Sequence, residues 1–197
     1  MVGYLLGMVS PAALISKLKH VNMREKGTGN LGASNAVVAL GRGYAILIMV
    51  VDILKAFLGG KLVQWLFPDL AVAGYLAGLG AVVGHIYPFY MKFKGGKGLA
   101  CYGGMVCFYS PWLLLFYLTG GVVMMILANR SIFLAVLVTV SFPIILLLEG
   151  NWQAAAVAAI ASALLLWVHR KNFGRVKRGE EAPMRELLKT AVFKIRK

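Results

Sequence analysis

The sequence predicts an all-α integral membrane protein with seven transmembrane helices, its N-terminus outside and its C-terminus inside. Three observations support this prediction. Of the 197 residues, 60% are hydrophobic, and the mean hydropathy is +0.78, which is too apolar for a soluble domain of this length. Apolar runs of helical length alternate with short polar turns. The positive charges are concentrated in alternate turns, as membrane topology requires and nucleic-acid binding does not.

The predicted spans follow the apolar runs in order. One run, residues 99–129, has 31 residues and would be roughly 46 Å long as a single helix, against about 30 Å of hydrocarbon. Ser110-Pro111 is a natural break, because proline cannot continue a helix that precedes it. The break divides this run into two spans. The runs are 1–16, 44–67, 70–91, 99–129, 131–148 and 152–168.

The distribution of charge tests that break. Five Lys and Arg residues lie between residues 17 and 43, three between 92 and 97, one at Arg130 and ten from residue 170 onward. Seven spans put all four groups on one side of the membrane, whereas six would put the ten-charge tail on the other. The positive-inside tendency therefore favours seven spans.

Two domains of unequal size follow from this topology. Residues 1–182 are predicted to form the membrane domain, and residues 183–197 a basic tail with apolar residues at helical spacing. Such a tail favours a helix lying on the anionic inner leaflet, with a solvated tail as the alternative.

Cys101 and Cys107 share one apolar run, so neither a disulfide framework nor a zinc site is indicated. We predict no metal, no cofactor and no nucleic acid, and the oligomeric state stays open.

A glycine-rich turn follows the third run. Gly95, Gly96 and Gly98 surround Lys97, so backbone N–H groups and one ammonium could approach an anion together. A helix beginning at Leu99 would add its N-terminal dipole and favour phosphate. The spacing is not that of a nucleotide-binding P-loop. The alternative is an ordinary basic turn at a membrane surface.

Two other polar segments are predicted to lie on the same side of the membrane. Residues 24–35 contain a literal GxGxxG, but no strand precedes it, so a Rossmann site is excluded. The third segment leaves the last span at residues 169–180. Asp52 and Lys55 lie within the second span, as either a structural ion pair or a substrate contact. Together the three segments predict a site for a phosphate-bearing substrate beside lipid, on the inner leaflet.

These segments resemble the motifs of the bacterial integral-membrane glycerol-3-phosphate acyltransferases that use acyl-phosphate, the PlsY family. The resemblance covers the chain to about Glu180 and implies the same seven-helix fold in the bacterial inner membrane, with the active site facing the cytoplasm. The matching positions are residues 24–35 with Asp52 and Lys55, then Gly84, His85, Pro88 and residues 93–98, then His169, Arg170, Asn172, Arg175, Gly179 and Glu180.

The resemblance implies transfer of a fatty acyl group from acyl-phosphate to the sn-1 hydroxyl of glycerol 3-phosphate, forming lysophosphatidic acid for phospholipid synthesis. It implies catalytic roles for Lys97, His169, Asn172 and Thr28. Lys97 and the glycine amides would hold phosphate, and Glu180 would orient nearby cations. Substrate-binding roles are implied for Asn30, Ser34, Asn35, Arg42, His85, Lys94, Gly95, Gly96, Gly98, Arg170, Arg175 and Glu180. His169 or His85 could be the general base, but the acceptor's own phosphate is favoured because both histidines lie among cations.

The first motif departs from the family pattern. Thr28 stands where the family usually has serine, which keeps the hydroxyl. Val38 stands where it usually has arginine, which removes a cation, and Arg42, one helical turn on, is the candidate replacement. Further departures are Met8, Asn22 and Cys101. Two alternatives therefore stay open: an acyltransferase of the same fold with another acceptor, and a non-catalytic membrane protein that binds an anionic lipid or solute.

Overall fold

The computed structural model describes residues 1–130 and 132–179, and within them the chain is all helix, with no strand. The predicted all-α class is confirmed for these residues. Glu180 and the predicted tail, residues 183–197, lie outside the described residues. The α-helices are α1 (Val2–Met8), α2 (Pro11–Leu18), α3 (Ala33–Ala39), α4 (Arg42–Leu66), α5 (Ala73–Ile86), α6 (Leu99–Tyr109), α7 (Pro111–Ala128), α8 (Ile132–Leu148) and α9 (Trp152–Lys177).

Serine–proline pairs divide two of the predicted runs. Ser110 Oγ accepts a hydrogen bond from the Leu113 N–H at 3.3 Å, and Pro111 is the first residue of α7, so the predicted break is confirmed. Ser10 and Pro11 do the same between α1 and α2, where Ser10 Oγ accepts from the Ala13 N–H at 3.2 Å. The first apolar run is therefore two short helices.

Compact packing divides the chain into two units, Met1–Tyr109 and Ser110–Lys197. In the first unit α1 packs along α5, and α4 packs against both α5 and α6. Glycines allow the α1–α5 approach. A β-carbon built on Gly3 would lie 2.0 Å from Ala77 O, one on Gly7 2.2 Å from Ala81 O, and one on Gly84 2.2 Å from Tyr4 O. The two backbones are thus closer than side chains would permit, as in other small-residue helix contacts.

Replacing Gly7 with leucine is expected to destabilise the first unit by about 1–3 kcal/mol or more, because the obstructing atom is backbone and cannot rotate away. The measurement is thermal unfolding of the purified protein in detergent. Gly120→Leu is the matched control, since a β-carbon on Gly120 in α7 meets nothing within 4 Å. Equal melting temperatures for the two variants would contradict the close packing.

Tyrosine hydroxyls hold the segment after α5 against α1. Tyr4 Oη donates to Tyr87 O at 2.8 Å, and Tyr90 Oη donates to Met8 O at 2.7 Å. α5 ends at Ile86, five residues before the end of the predicted third run, and Phe89–Met91 form a short 3₁₀ helix. These bonds fix the start of the loop that carries the glycine-rich turn.

The second unit contains α7, α8 and α9, with α8 packed on both of its neighbours. Tyr117 on α7 and Ser141 on α8 share a hydrogen bond of 2.6 Å between their hydroxyls. Among the described residues α9, with 26 residues, is long and apolar enough to cross a membrane, and four further apolar helical stretches are shorter. The count of seven spans and their orientation stay predictions.

Candidate anion-binding site

The glycine turn, residues 95–98, is attached to the end of α5 through its backbone. The Gly95 N–H donates to Ile86 O at 2.9 Å, and the Gly96 N–H donates to His85 O at 3.0 Å. The N–H groups of Gly95 and Gly96 are therefore hydrogen-bonded to the backbone of the protein itself. Gly95 and Gly96 contribute tight geometry, whereas the sequence had suggested that their N–H groups would bind an anion.

Steric contacts explain why these positions are glycine. A β-carbon built on Gly95 would lie 2.0 Å from His85 O, and one on Gly96 would lie 2.1 Å from His85 Nε2 and 2.7 Å from Leu31 O. Gly98 has a φ of +82°, in the left-handed region that favours glycine. The turn is thus wedged between the end of α5 and the loop that contains Leu31.

Lys97 stands at the entrance to α6, as predicted. The helix begins at Leu99, and Gly98 O accepts a hydrogen bond from the Tyr102 N–H at 2.9 Å. Lys97 is partly buried. An ammonium beside a helix N-terminus adds its full positive charge to the partial positive charge of the helix dipole, an arrangement that attracts phosphate.

The 24–35 loop is held from inside by Asn35, which is 1% exposed. Asn35 Oδ1 accepts from the Thr28 N–H at 2.8 Å, and Asn35 Nδ2 donates to Met23 O at 2.9 Å. Gly27 and Gly29, with φ of +55° and +70°, supply the left-handed turns that the loop needs. Asn35 was a candidate substrate ligand. The structure instead shows its side chain bonded to the loop's own backbone.

The other predicted substrate-binding and catalytic residues in or near residues 24–35 differ in their exposure to solvent. Thr28 and Ser34 are exposed, and Asn30 and Arg42 are partly buried. Val38 is 40% exposed, and its Cγ1 lies 3.5 Å from where a β-carbon on Gly27 would be. Val38 therefore borders the same loop that presents the Thr28 hydroxyl.

Two contacts join the 24–35 loop to the glycine turn. The Arg24 guanidinium donates to Lys94 O, and Leu31 O faces the Gly96 α-carbon closely enough to exclude a side chain there. The first two predicted segments therefore meet within the first unit. A cleft of about 460 Å³ beside them combines cationic and apolar side chains, suited to an amphiphilic anion. Its lining includes Lys17, His20, Arg24, Ala13, Leu31 and Met91.

The third segment forms its own cluster at the end of α9, in the second unit. His169 is 6% exposed, and its Nδ1 lies 2.8 Å from Leu165 O. A carbonyl only accepts, so Nδ1 carries a proton, and Nε2 is the basic nitrogen of the neutral ring. Arg175 Nη2 donates to Asn172 Oδ1 at 3.1 Å, and the Arg170 guanidinium lies 4.1 Å from the Trp167 ring centre. That the end of α9 meets the 24–35 loop and the glycine turn stays a prediction.

A buried polar cluster lies behind the glycine turn. Lys55 Nζ is 2.7 Å from Asp52 Oδ1, 3.1 Å from His85 Nδ1 and 2.6 Å from Val9 O. Asp52, Lys55 and His85 are 1%, 8% and 7% exposed. Asp52 Oδ1 has no hydrogen bond of ordinary angle within the described residues, so the 2.7 Å contact acts as an ion pair. Of the two readings of Asp52 and Lys55, the structure favours the ion pair.

Sequence reasoning missed the fourth member of this cluster. Cys101, fully buried on α6, places its sulfur within 4.8 Å of ligand atoms of Asp52 and His85. Such a trio resembles a metal ligand set, but the Lys55 ammonium already supplies the positive charge beside Asp52. A metal ion would have to displace it. No periodicity in the sequence relates positions 52, 85 and 101, so the cluster could not be foreseen.

Comparisons with known proteins relate the whole chain to one family. The family model described as glycerol-3-phosphate acyltransferase matches residues 1–179. The glycerol-3-phosphate acyltransferase of Coxiella burnetii (strain CbuG_Q212) is 33% identical over 181 residues, covering 91% of this chain and 93% of that protein. That of Aquifex aeolicus (strain VF5) is 33% identical over 179 residues, covering 90% and 93%.

Solved structures give the same relationship. The crystal structure of PlsY (YgiH), described as an integral membrane glycerol 3-phosphate acyltransferase, in its glycerol 3-phosphate form matches with a TM-score of 0.86 and 32% identity, covering 92% of this chain and 91% of that one. Its lysophosphatidic acid form matches with a TM-score of 0.85 at the same 32% identity, covering 94% of each chain. The family model spans all the described residues, and the structural match covers 92% of the chain. The chain therefore belongs to the glycerol-3-phosphate acyltransferase family.

Proposed function

We propose that the chain transfers a fatty acyl group from acyl-phosphate to the sn-1 hydroxyl of glycerol 3-phosphate, giving lysophosphatidic acid for phospholipid synthesis. The observation that carries this proposal is the junction of the 24–35 loop with the glycine turn, where Arg24 bonds to Lys94 O and Leu31 O packs on Gly96. We propose that this junction brings the Thr28 hydroxyl and the Asn30 amide towards the Lys97 ammonium. The family relationship supplies the substrate class.

The proposed reaction is one acyl transfer. The acceptor hydroxyl oxygen attacks the carbonyl carbon of the acyl-phosphate, the carbon–oxygen bond to phosphate breaks, and inorganic phosphate leaves. Lys97 offsets the charge that develops on the departing phosphate. Thr28 and Asn30 position the acceptor and the carbonyl. Phosphate is already a good leaving group, so the step requires neither a metal nor a coenzyme.

The hydroxyl proton has two possible destinations. The acceptor's own phosphate is favoured, since it is bound close to the hydroxyl. The alternative is His169, whose Nδ1 is committed to Leu165 O so that Nε2 would be the base. Asn172 and Arg175 would bind the acceptor phosphate. Bringing these α9 residues to the glycine turn is part of the proposal.

We also propose the topology that the charge distribution predicts: seven spans in the bacterial inner membrane, N-terminus out, with the site facing the cytoplasm. A site on the cytoplasmic face would be open to glycerol 3-phosphate from the water and to acyl-phosphate from the inner leaflet. A reporter fused after residue 197 is expected to be cytoplasmic. A periplasmic reporter would refute the seven-span assignment.

The direct test uses the purified protein, acyl-phosphate and labelled glycerol 3-phosphate. Labelled lysophosphatidic acid and released inorganic phosphate, in equal amounts, are the expected products. An acyl thioester offered in place of acyl-phosphate shows whether the donor class is right. Binding of the donor without product would instead support a non-catalytic lipid-binding protein.

Val38 favours one second candidate, the same acyl transfer to another acceptor. If glycerol 3-phosphate is the acceptor, Val38→Arg should lower its KM by about tenfold or more, because a hydrogen bond to a charged group contributes about 1.5–3 kcal/mol. Val38 is 40% exposed, so the longer side chain has room. Val38→Leu is the uncharged control. Comparison of several phosphorylated and neutral alcohols completes the test, and a parental preference for another alcohol would select the second candidate.

A further inference from the structure

We propose that Asp52, Lys55 and His85 are positioning residues that hold the glycine turn in its anion-binding geometry. They are too deeply buried to reach a substrate, and they act through Gly96. The kinetic part of the test rests on the proposed function. The position of the turn can be measured without any enzyme assay.

His85 touches the turn in two ways. Its carbonyl oxygen accepts the Gly96 N–H at 3.0 Å, and its ring lies so close that a β-carbon on Gly96 would be 2.1 Å from Nε2. The same β-carbon would be 2.7 Å from Leu31 O. A shift of the His85 ring therefore moves the turn against the 24–35 loop, which carries the other half of the site.

Lys55 fixes that ring. Its Nζ lies within hydrogen-bond distance of His85 Nδ1 at 3.1 Å and of Val9 O at 2.6 Å, and it forms an ion pair with Asp52 Oδ1 at 2.7 Å. His85 Nδ1 also lies 3.3 Å from Asp52 Oδ1, so the lysine and the carboxylate both border the same edge of the ring.

The network thereby connects four helices to one turn. Val9 follows α1, Asp52 and Lys55 belong to α4, His85 is the last residue but one of α5, and Cys101 lies beside them on α6. The contact of Lys55 Nζ with His85 Nδ1 connects the ring, and through the ring Gly96, to α4.

The test combines two measurements on the full-length protein. Amide hydrogen–deuterium exchange of peptides spanning residues 92–98 reports the turn directly, through the Gly95 and Gly96 N–H groups. Steady-state kinetics report its effect on substrates. In Lys55→Met we expect about tenfold faster exchange in those peptides, since hydrogen bonds that hold the turn are weakened. We expect a donor KM raised about tenfold, with the acceptor KM changed much less.

Two further variants keep the test decisive. Asp52→Asn combined with Lys55→Met removes both charges, so it leaves no unpaired ion if the single variant fails to fold. Lys61→Met is the matched control, because Lys61 is an exposed lysine on the same helix. The double variant should reproduce the faster exchange, and Lys61→Met should leave both exchange and kinetics at parental values.

The proposal is overturned if exchange in residues 92–98 is parental in the folded double variant, or if exchange rises equally throughout α4 and α5. The second result would mean general destabilisation. Faster exchange confined to the turn supports the positioning role even if no acyl transfer is found, so failure of the proposed function would be recognised separately.

Discussion

Lys97→Ala is expected to lower kcat for acyl transfer by about 10²–10³-fold, the usual loss when one preorganised donor to a developing charge is removed. Lys97 lies between Gly96 and Gly98 at the start of α6, so under the proposed function its charge and the helix dipole would act on the same phosphate. Partial burial strengthens that interaction relative to one in water. Initial rates at saturating acyl-phosphate measure the effect, with the melting temperature recorded alongside.

Lys92→Asn is the matched control in the same loop. Lys92 is exposed and adopts a left-handed conformation with a φ of 54°, which asparagine tolerates. The Lys92→Asn substitution removes one positive charge, as Lys97→Ala does, but leaves the glycine turn unchanged. The rate of acyl transfer by this variant should therefore stay within about threefold of the parent. A Lys97→Ala enzyme with activity as high as Lys92→Asn would show that the turn does not carry the chemistry.

Gly95→Ala is expected to reduce kcat/KM by about 10²-fold or more, although it adds only a methyl group. The new β-carbon would lie 2.0 Å from His85 O, 2.7 Å from Pro88 Cδ and 2.9 Å from Ile86 O, so the chain must move. That movement breaks the 2.9 Å bond from the Gly95 N–H to Ile86 O and displaces Lys97. A misplacement of about 1 Å at a reacting centre typically has an effect of this size.

Gly120→Ala, where the added carbon meets nothing within 4 Å, is the corresponding control. Alanine is the better helix former, so its stability should equal or exceed that of the parent. Parental kinetics for Gly95→Ala would mean that the turn can relax without consequence. Such a result would remove the steric basis of the site.

Much of the fold was predictable because its signals are local. Ser110 and Pro111 are adjacent, and a side-chain cap beside a proline stops one helix and starts the next whatever surrounds it. The start of α6 at Leu99 was likewise visible in the glycines before it. The third run was predicted too long because Tyr87 to Met91 are apolar but leave the helix. Hydropathy cannot distinguish an apolar helix end from an apolar loop.

The site was predictable in composition but not in orientation. The sequence placed Asn35 and Gly96 in the right loops, yet Asn35 turns inward to Thr28 and Met23, and the Gly96 N–H is bonded to His85 O. Which way a side chain or amide points depends on contacts between distant segments, and no periodic pattern encodes them. The meeting of Cys101 with Asp52 and His85 was missed for the same reason.

Many of the polar contacts between distant segments end on a main-chain oxygen. Arg24 reaches Lys94 O, Lys55 reaches Val9 O, and Tyr4 reaches Tyr87 O. Every amino acid has that oxygen, so the residue type at the accepting position can change without loss of the bond. The residue type at the donating position cannot. Mutational scans should therefore find sensitivity on one side of each pair only. Methods that infer proximity from correlated substitutions are expected to be blind to these links, even though they position the site.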